Sequence, residues 1–168
     1  MRFGGHETFP IREGWLHKGL KLLIDDPGAL VDDNAPDHLG VGQNMAKSIR
    51  HWLVATGLAQ TAQKSRGSKK PEFEPTAVGR LVWKRDRYFL DPGTWWALHI
   101  NLVNNPDHAA SWTWFFNSFS SDRFDRPVCL ESLTRHLQLA KQRLPNARTL
   151  ARDISCLLAT YARPIPDD

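Results

Sequence analysis

The chain has 168 residues and a mass of 19.1 kDa, which suits one large domain or two small ones. Its composition, 41% hydrophobic and 24% charged with eight Phe and seven Trp, is that of a globular protein and excludes a wholly disordered chain. No apolar run approaches the roughly 20 residues of a membrane span, and no signal-peptide pattern opens the chain, so we expect a cytoplasmic protein. The two cysteines form no CxxC pair, so we expect neither disulfides nor a zinc site.

The formal net charge of +4 is concentrated in one part of the chain. Residues 43–85 carry nine basic and two acidic groups, whereas residues 1–42 have a net charge of −3 and residues 86–168 are neutral. A concentrated basic region is typical of a protein that binds a polyanion. Lysines of a solvated loop would give the same count, so the structure under the charge decides between the two interpretations.

The elements in chain order begin with a helix over residues 13–24, predicted from an apolar stripe at helical spacing. The sequence Asp-Asp-Pro-Gly at 25–28 ends this helix. Residues 29–34 are expected to form a short second helix, followed by a break at 34–37 and a tight connection at 39–42.

The clearest predicted helix covers residues 43–56, before the stop at Gly57. One side is an apolar arc predicted to be buried, formed by Met45, Ile49, Trp52, Leu53 and Thr56. The opposite side, an arc of about 120°, is polar and basic, and its members are the first candidate DNA-binding residues. They are Gln43, Asn44, Lys47, Arg50 and His51.

Two short strands are predicted at residues 58–63 and 72–75, on either side of a basic turn. Thr76 is a good N-cap for a fourth helix. The order helix, helix, helix, hairpin, helix predicts that residues 1–90 form a winged helix-turn-helix with a small β-hairpin wing. The wing supplies four more candidate DNA-binding residues, which are Lys64, Arg66, Lys69 and Lys70.

Residues 91–168 are predicted to form an all-helical bundle, so the fold class is mainly α. The predicted helices cover 94–105, 109–119, 128–142 and 146–161. The last repeats the apolar arc of the helix at 43–56 and carries Arg148 and Arg152 on its outer side as secondary DNA-binding candidates. A second helix-turn-helix-like unit is one interpretation of this repetition, and an ordinary amphipathic helix is the other.

The candidate residues have the side chains that read DNA. Asn and Gln bind adenine edges in the major groove, Arg and Lys bind guanine or phosphate, and a helix fits that groove. The basic turn would add contacts with phosphate or the minor groove, which give affinity with little sequence information. The alternatives are a solvated helix face and a loop without a ligand.

Other chemistry-bearing patterns favour structural roles. The loop that contains His6 and Glu7 is expected to pack against the first helix, and the aromatic stretch at 95–119 to form core rather than to stack on unpaired bases. Both cysteines, Cys129 and Cys156, are expected to be buried. No motif of a metalloprotease, nucleophile elbow, P-loop or dinucleotide site is present, and no catalytic residue, metal ligand or cofactor is predicted.

Several segments resemble a bacterial family of unknown function that is found beside DNA phosphorothioation genes of the Ssp type. The matching segments are FGGHETFP at 3–10, REGWLHKG at 12–19, LGVGQNM at 39–45, TAVG at 76–79, LH at 98–99, WFFN at 114–117 and RDI at 152–154. They are spread over nearly the whole chain.

The resemblance implies a role in opening one DNA strand during sulfur incorporation, linked to phage defence, beside a cysteine desulfurase and an ATP-dependent sulfur-transfer protein. It assigns no catalytic residue here, and it implies a divalent metal only if this chain itself nicks DNA. We therefore expect a module that binds double-stranded DNA. The alternative is a protein-interaction module that docks the sulfur-transfer machinery without binding DNA.

Overall fold

The computed structural model describes residues 1–12, 14–62 and 71–162. This part of the chain is mainly helical, with eight α-helices and one two-stranded antiparallel sheet, as the sequence predicted. The helices are α1 (Trp15–Asp25), α2 (Ala35–Leu39), α3 (Gln43–Ala55), α4 (Ala77–Arg85), α5 (Pro92–Val103), α6 (Ala110–Ser118), α7 (Arg126–Leu139) and α8 (Ala147–Tyr161). The strands are β1 (Ala59–Thr61) and β2 (Phe73–Pro75). No helix of the described part is both long and apolar enough to span a bilayer.

The chain divides into two compact units. The central unit is Ile11–Leu102, and the terminal unit joins residues 1–10 to the chain from Val103 onward. The predicted division at residue 90 differs from these units in two places, and hydrogen bonds give the reason. The Asn101 side chain donates to the carbonyl of Thr56, which ties α5 to the central unit, whereas Arg2 donates its backbone N–H to the carbonyl of Pro106.

In the central unit, α1 packs against α3. The predicted apolar faces of both helices are buried, and Ile49, Trp52 and Leu53 of α3 have no exposed surface. Burial of a side chain of this size contributes about 1.5–3 kcal/mol. Met45 is only half-buried, because it lies in the first turn of α3.

The connection between α1 and α3 differs from the sequence prediction. The expected short helix at 29–34 is a single 3-10 turn at Ala29–Val31, and the expected break at 34–37 is the start of α2. Pro36 lies in the first turn of α2, where its missing N–H has no helical acceptor to lose and its fixed φ suits the helix.

The hairpin follows α3 directly. Gly57 takes a φ of +76°, which turns the chain out of the helix, and the register of the strands pairs Gln60 with Glu74. Thr76 joins the two ends of this region, since its hydroxyl accepts from the backbone N–H of Gly79 at 3.0 Å and donates to the carbonyl of Gly57 at 2.6 Å. The predicted N-cap is therefore confirmed.

The terminal unit is built on α6, α7 and α8. Its core cluster of buried residues consists of Trp114, Cys129, Leu133, Leu137, Leu150 and Ile154. Both cysteines are buried, as predicted. Asp125 and Asn146 cap α7 and α8 by accepting backbone N–H groups through their side chains.

Candidate nucleic-acid interface

The predicted polar side of α3 lies at the surface of the central unit. Gln43, Asn44 and Lys47 are exposed, and Arg50 and His51 are half-buried. The first three residues are therefore open to solvent along the first turns of the helix, and the last two are partly covered by the protein.

Packing gives this surface a fixed backbone. The opposite side of α3 is buried, and the ring of His51 meets the indole of Trp52 edge-to-face with centroids 5.0 Å apart. The side-chain amide of Gln43 lies 3.5 Å from the carbonyl of Asp33. The exposed donors and acceptors are thus presented by a rigid helix, which lowers the entropy lost on binding a rigid partner.

The sheet that follows α3 consists of three residues in each strand, extended by a hydrogen bond from the N–H of Ala62 to the carbonyl of Glu72. Gln60 and Glu74 are bonded side chain to side chain at 2.8 Å. The four basic residues predicted for the wing, Lys64, Arg66, Lys69 and Lys70, lie outside the described residues.

The secondary candidates lie in the terminal unit. Arg148 and Arg152 are both exposed and stand one turn apart on α8. They form a small basic face of their own.

A second basic surface of the central unit was not singled out from the sequence. Arg80, Lys84, Arg85 and Arg87 are exposed along α4 and just after it. Beside them, the ring of His17 in α1 stacks on other aromatic rings of the unit. The guanidinium of Arg87 contacts the ring of Trp83, and because the two residues are only four apart in the sequence, this contact could have been suspected from it. The approach of His17 from another helix leaves no such local signal in the sequence.

The loop with His6 holds a buried hydrogen-bond network in the terminal unit. The Asp153 carboxylate accepts from the N–H of Gly4 at 2.8 Å, from His6 Nε2 at 2.9 Å and from the Ser111 hydroxyl at 2.8 Å. The N–H of Thr8 donates to His6 Nδ1, so the ring hydrogen is on Nε2 and points at the carboxylate. The loop is thus bound to α8 and α6, where the sequence led us to expect α1.

These three side chains include the residue types of a catalytic triad, but the arrangement does not suit catalysis. His6, Asp153 and Ser111 are 1%, 2% and 0% exposed, and the hydroxyl donates to the carboxylate rather than to the imidazole. A nucleophile needs an adjacent base and access to its substrate. The network therefore positions the loop.

The described residues also bring together no group of three or more His, Cys, Asp or Glu side chains that could hold a metal ion. We assign no metal site to this part of the chain.

Comparison with known proteins finds no match among curated proteins. Two solved structures match, with the titles "Magnesium ion-bound SspB crystal structure" and "SspB crystal structure". Each is 31% identical to this chain and covers 95% of it, with TM-scores of 0.85 and 0.84. This chain spans 48% and 49% of those chains, about half of their length. Because a family model described as "Protein of unknown function (DUF4007)" matches residues 3–167, the chain belongs to that family, which confirms the resemblance found in its sequence.

Proposed function

We propose that this chain binds duplex DNA as part of a DNA phosphorothioation-associated protein of anti-phage defence. In this proposal the central unit is a winged helix-turn-helix, α3 is the recognition helix in the major groove, and the hairpin is a wing on the DNA backbone. The observation that carries the proposal is the exposed side of α3, where Gln43 and Asn44 lie beside Lys47.

The order and packing of the elements support this proposal. Helices α1 and α2 both pack on α3, which is followed by the two-stranded hairpin and by α4. A helix held on one side by its own unit leaves the other side open to a duplex. The major groove is wide enough for such a helix, and Asn, Gln, Lys and Arg are the side chains that bind its base edges.

The charge distribution supports DNA as the partner. The region that contains α3, the hairpin and α4 carries the whole excess of positive charge. If Lys47, Arg50 and the four basic residues of the wing each neutralise one phosphate, log K falls by about 5 per unit of log[salt]. Such a dependence distinguishes binding to a polyanion from docking to a protein through apolar contacts.

The similarity to the SspB structures supports DNA phosphorothioation as the biological context of the proposal. The resemblance of the sequence to the Ssp-type family suggests a cysteine desulfurase and an ATP-dependent sulfur-transfer protein as partners. The resemblance also carries the expectation of strand nicking. We assign that step to no residue here, and divalent metal enters the proposal only with it.

One observation favours the second candidate function, a module that docks other phosphorothioation proteins. Trp96 on α5 is 67% exposed, so part of the aromatic stretch that was expected to be core is available to a partner. Trp112 and Trp114 of the same stretch are buried as expected.

Binding of a labelled random duplex, measured by fluorescence anisotropy over a series of salt concentrations, tests the proposal. The double variant Lys47→Ala with Arg50→Ala should bind several-fold more weakly. Its slope of log K against log[salt] should be less steep by about 1.8, because two phosphate contacts are lost.

The matched control is Arg123→Ala with Arg135→Ala, which removes the same charge from exposed positions of the terminal unit. The groove placement is wrong if the two double variants bind the duplex with equal affinity and equal slope. Thermal unfolding of each variant by circular dichroism checks that α3 keeps its packing.

A further inference from the structure

A stack of aromatic and cationic side chains lies at the surface of the central unit, outside the proposed duplex interface. The imidazole of His17 stacks on the indole of Trp83, with centroids 5.7 Å apart and planes at 22°, and on the phenol ring of Tyr88, at 5.0 Å and 29°. The guanidinium of Arg87 lies 5.2 Å from the centroid of Trp83. These distances are those of stacked rings and of a cation–π contact.

The stack is held in place before any ligand arrives. His17 Nδ1 donates to the carbonyl of Arg87 at 2.7 Å, which fixes the orientation of the imidazole between α1 and the segment after α4. Helices α1 and α4 also pack on one another. A ligand that adds to this stack therefore loses less conformational freedom than one that must order the rings itself.

One end of the stack is open. Tyr88 is 65% exposed although its ring already stacks on His17, so the ring presents apolar surface to solvent. A nucleobase is a planar ligand that can extend such a stack, and every base has a π-face.

Basic residues are frequent along α4 and in the segment just after it, which supplies the contact of Arg87 with the stack. Arg80, Lys84, Arg85 and Arg87 are all exposed, and Arg80 and Arg87 lie three and four residues from Trp83. The nearby carboxylate of Asp86 is occupied, since it accepts the backbone N–H groups of Leu90 and Asp91. Aromatic stacking together with cations that can follow a phosphate backbone is the combination found in proteins that bind single strands.

We propose that the stack formed by His17, Trp83, Tyr88 and Arg87 is a binding site for single-stranded DNA, in which an unpaired base stacks on Tyr88 and the flanking phosphates meet the basic residues of α4. This site takes a different form of DNA from the one assigned to α3. It does not depend on the duplex proposal, and its failure can be distinguished from that of the duplex proposal.

The test uses the full chain and a fluorescein-labelled dT15 strand, with binding followed by anisotropy at low salt. Tyr88→Ala should weaken binding at least about fivefold, because stacking of one base on an aromatic ring contributes enough for that change. Tyr88→Phe keeps the ring and should bind like the wild type. Leu90→Ala is the matched control, since it removes apolar surface from an 81% exposed side chain two residues away.

A second readout reports stacking directly. A strand with one 2-aminopurine should lose fluorescence when the wild type or Tyr88→Phe binds it, and should lose much less with Tyr88→Ala. The proposal is overturned if dT15 does not bind the wild type, or if Tyr88→Ala and Leu90→Ala weaken binding equally, which would indicate a general apolar contact such as one to a protein.

The double variant in α3 separates the two proposals. The duplex proposal fails and the single-strand site stands if two results are obtained together. Lys47→Ala with Arg50→Ala would bind the duplex as well as the control double variant in the terminal unit does, and Tyr88→Ala would still weaken binding of dT15. If Tyr88→Ala binds dT15 like the wild type while the α3 variant loses duplex binding, the reverse holds.

Discussion

Replacing Asp153 with alanine should destabilise the terminal unit and release the N-terminal loop that the Asp153 side chain holds in place. The carboxylate accepts three hydrogen bonds, from Gly4, His6 and Ser111, and the two side-chain donors are buried with it. Alanine removes both oxygens and supplies no acceptor. The His6 ring and the Ser111 hydroxyl would then keep their burial without their partner, or the loop would have to leave.

The structure sets the magnitude of this effect. A buried donor left without an acceptor costs about 1–3 kcal/mol, and three donors are orphaned at once. The N–H of Gly4 is only partly buried, so water can replace part of its bond, and losses within one network do not add in full. We expect Asp153→Ala to lower the free energy of unfolding by about 4 kcal/mol, and Asp153→Asn, which keeps one oxygen as an acceptor, by less.

Urea unfolding followed by circular dichroism measures the loss, and hydrogen exchange of the peptide that contains residues 1–10 reports whether the loop is released. The control is Asp122→Ala, an exposed carboxylate of the same unit, which should change stability by less than about 0.5 kcal/mol. In a cycle with Ser111→Ala, the double variant should lose less than the two single variants together. The reasoning is refuted if Asp153→Ala is as stable as Asp122→Ala and its loop exchanges no faster than that of the wild type.

Two further predictions concern close packing and thiol chemistry. A Cβ at Gly79 would overlap the carbonyl oxygen of Leu58, so Gly79→Ala should lower the free energy of unfolding by about 1–3 kcal/mol in a urea titration. Gly28→Ala is the control and should be nearly neutral, because its Cβ would meet no atom closer than 3.4 Å. Equal stability of the two variants would contradict the close packing at Gly79. Burial raises the pKa of the Cys129 and Cys156 thiols, and the charges of nearby carboxylates raise it further. The native protein should therefore react slowly with a thiol-specific reagent at pH 8 and should expose two reactive thiols in denaturant. Rapid reaction of the native protein would refute this burial.

The sequence predicted best those elements whose ends are marked by local chemistry. Helix α3 was predicted to within one residue, because its apolar period is regular and a glycine stands at either end of it. The cap at Thr76 was predicted because threonine is a good N-cap residue and a helical pattern follows it. Helix α2 was missed, because Pro36 was interpreted as a breaker although proline fits the first turn of a helix.

The side-chain contacts that the sequence did not predict join residues that are far apart in the chain. His6 meets Asp153 across 147 positions, and His17 meets Tyr88 across a large part of the central unit. The two residues of each pair lie on separate segments, so no local sequence pattern predicts that they are in contact. The polar face of α3 was predictable because the helical period of about 3.6 residues assigns each residue of one continuous segment to the polar or the apolar side.

The discontinuous terminal unit has a consequence for biosynthesis. Gly4 leaves the ribosome 149 residues before its acceptor Asp153, a delay of roughly 7–30 s at ordinary elongation rates. The segment Ile11–Leu102 is continuous and can condense during that interval. Residues 1–10 therefore wait for a partner on α8 that is synthesised much later, and a fusion tag attached to Met1 would burden the terminal unit rather than the central unit.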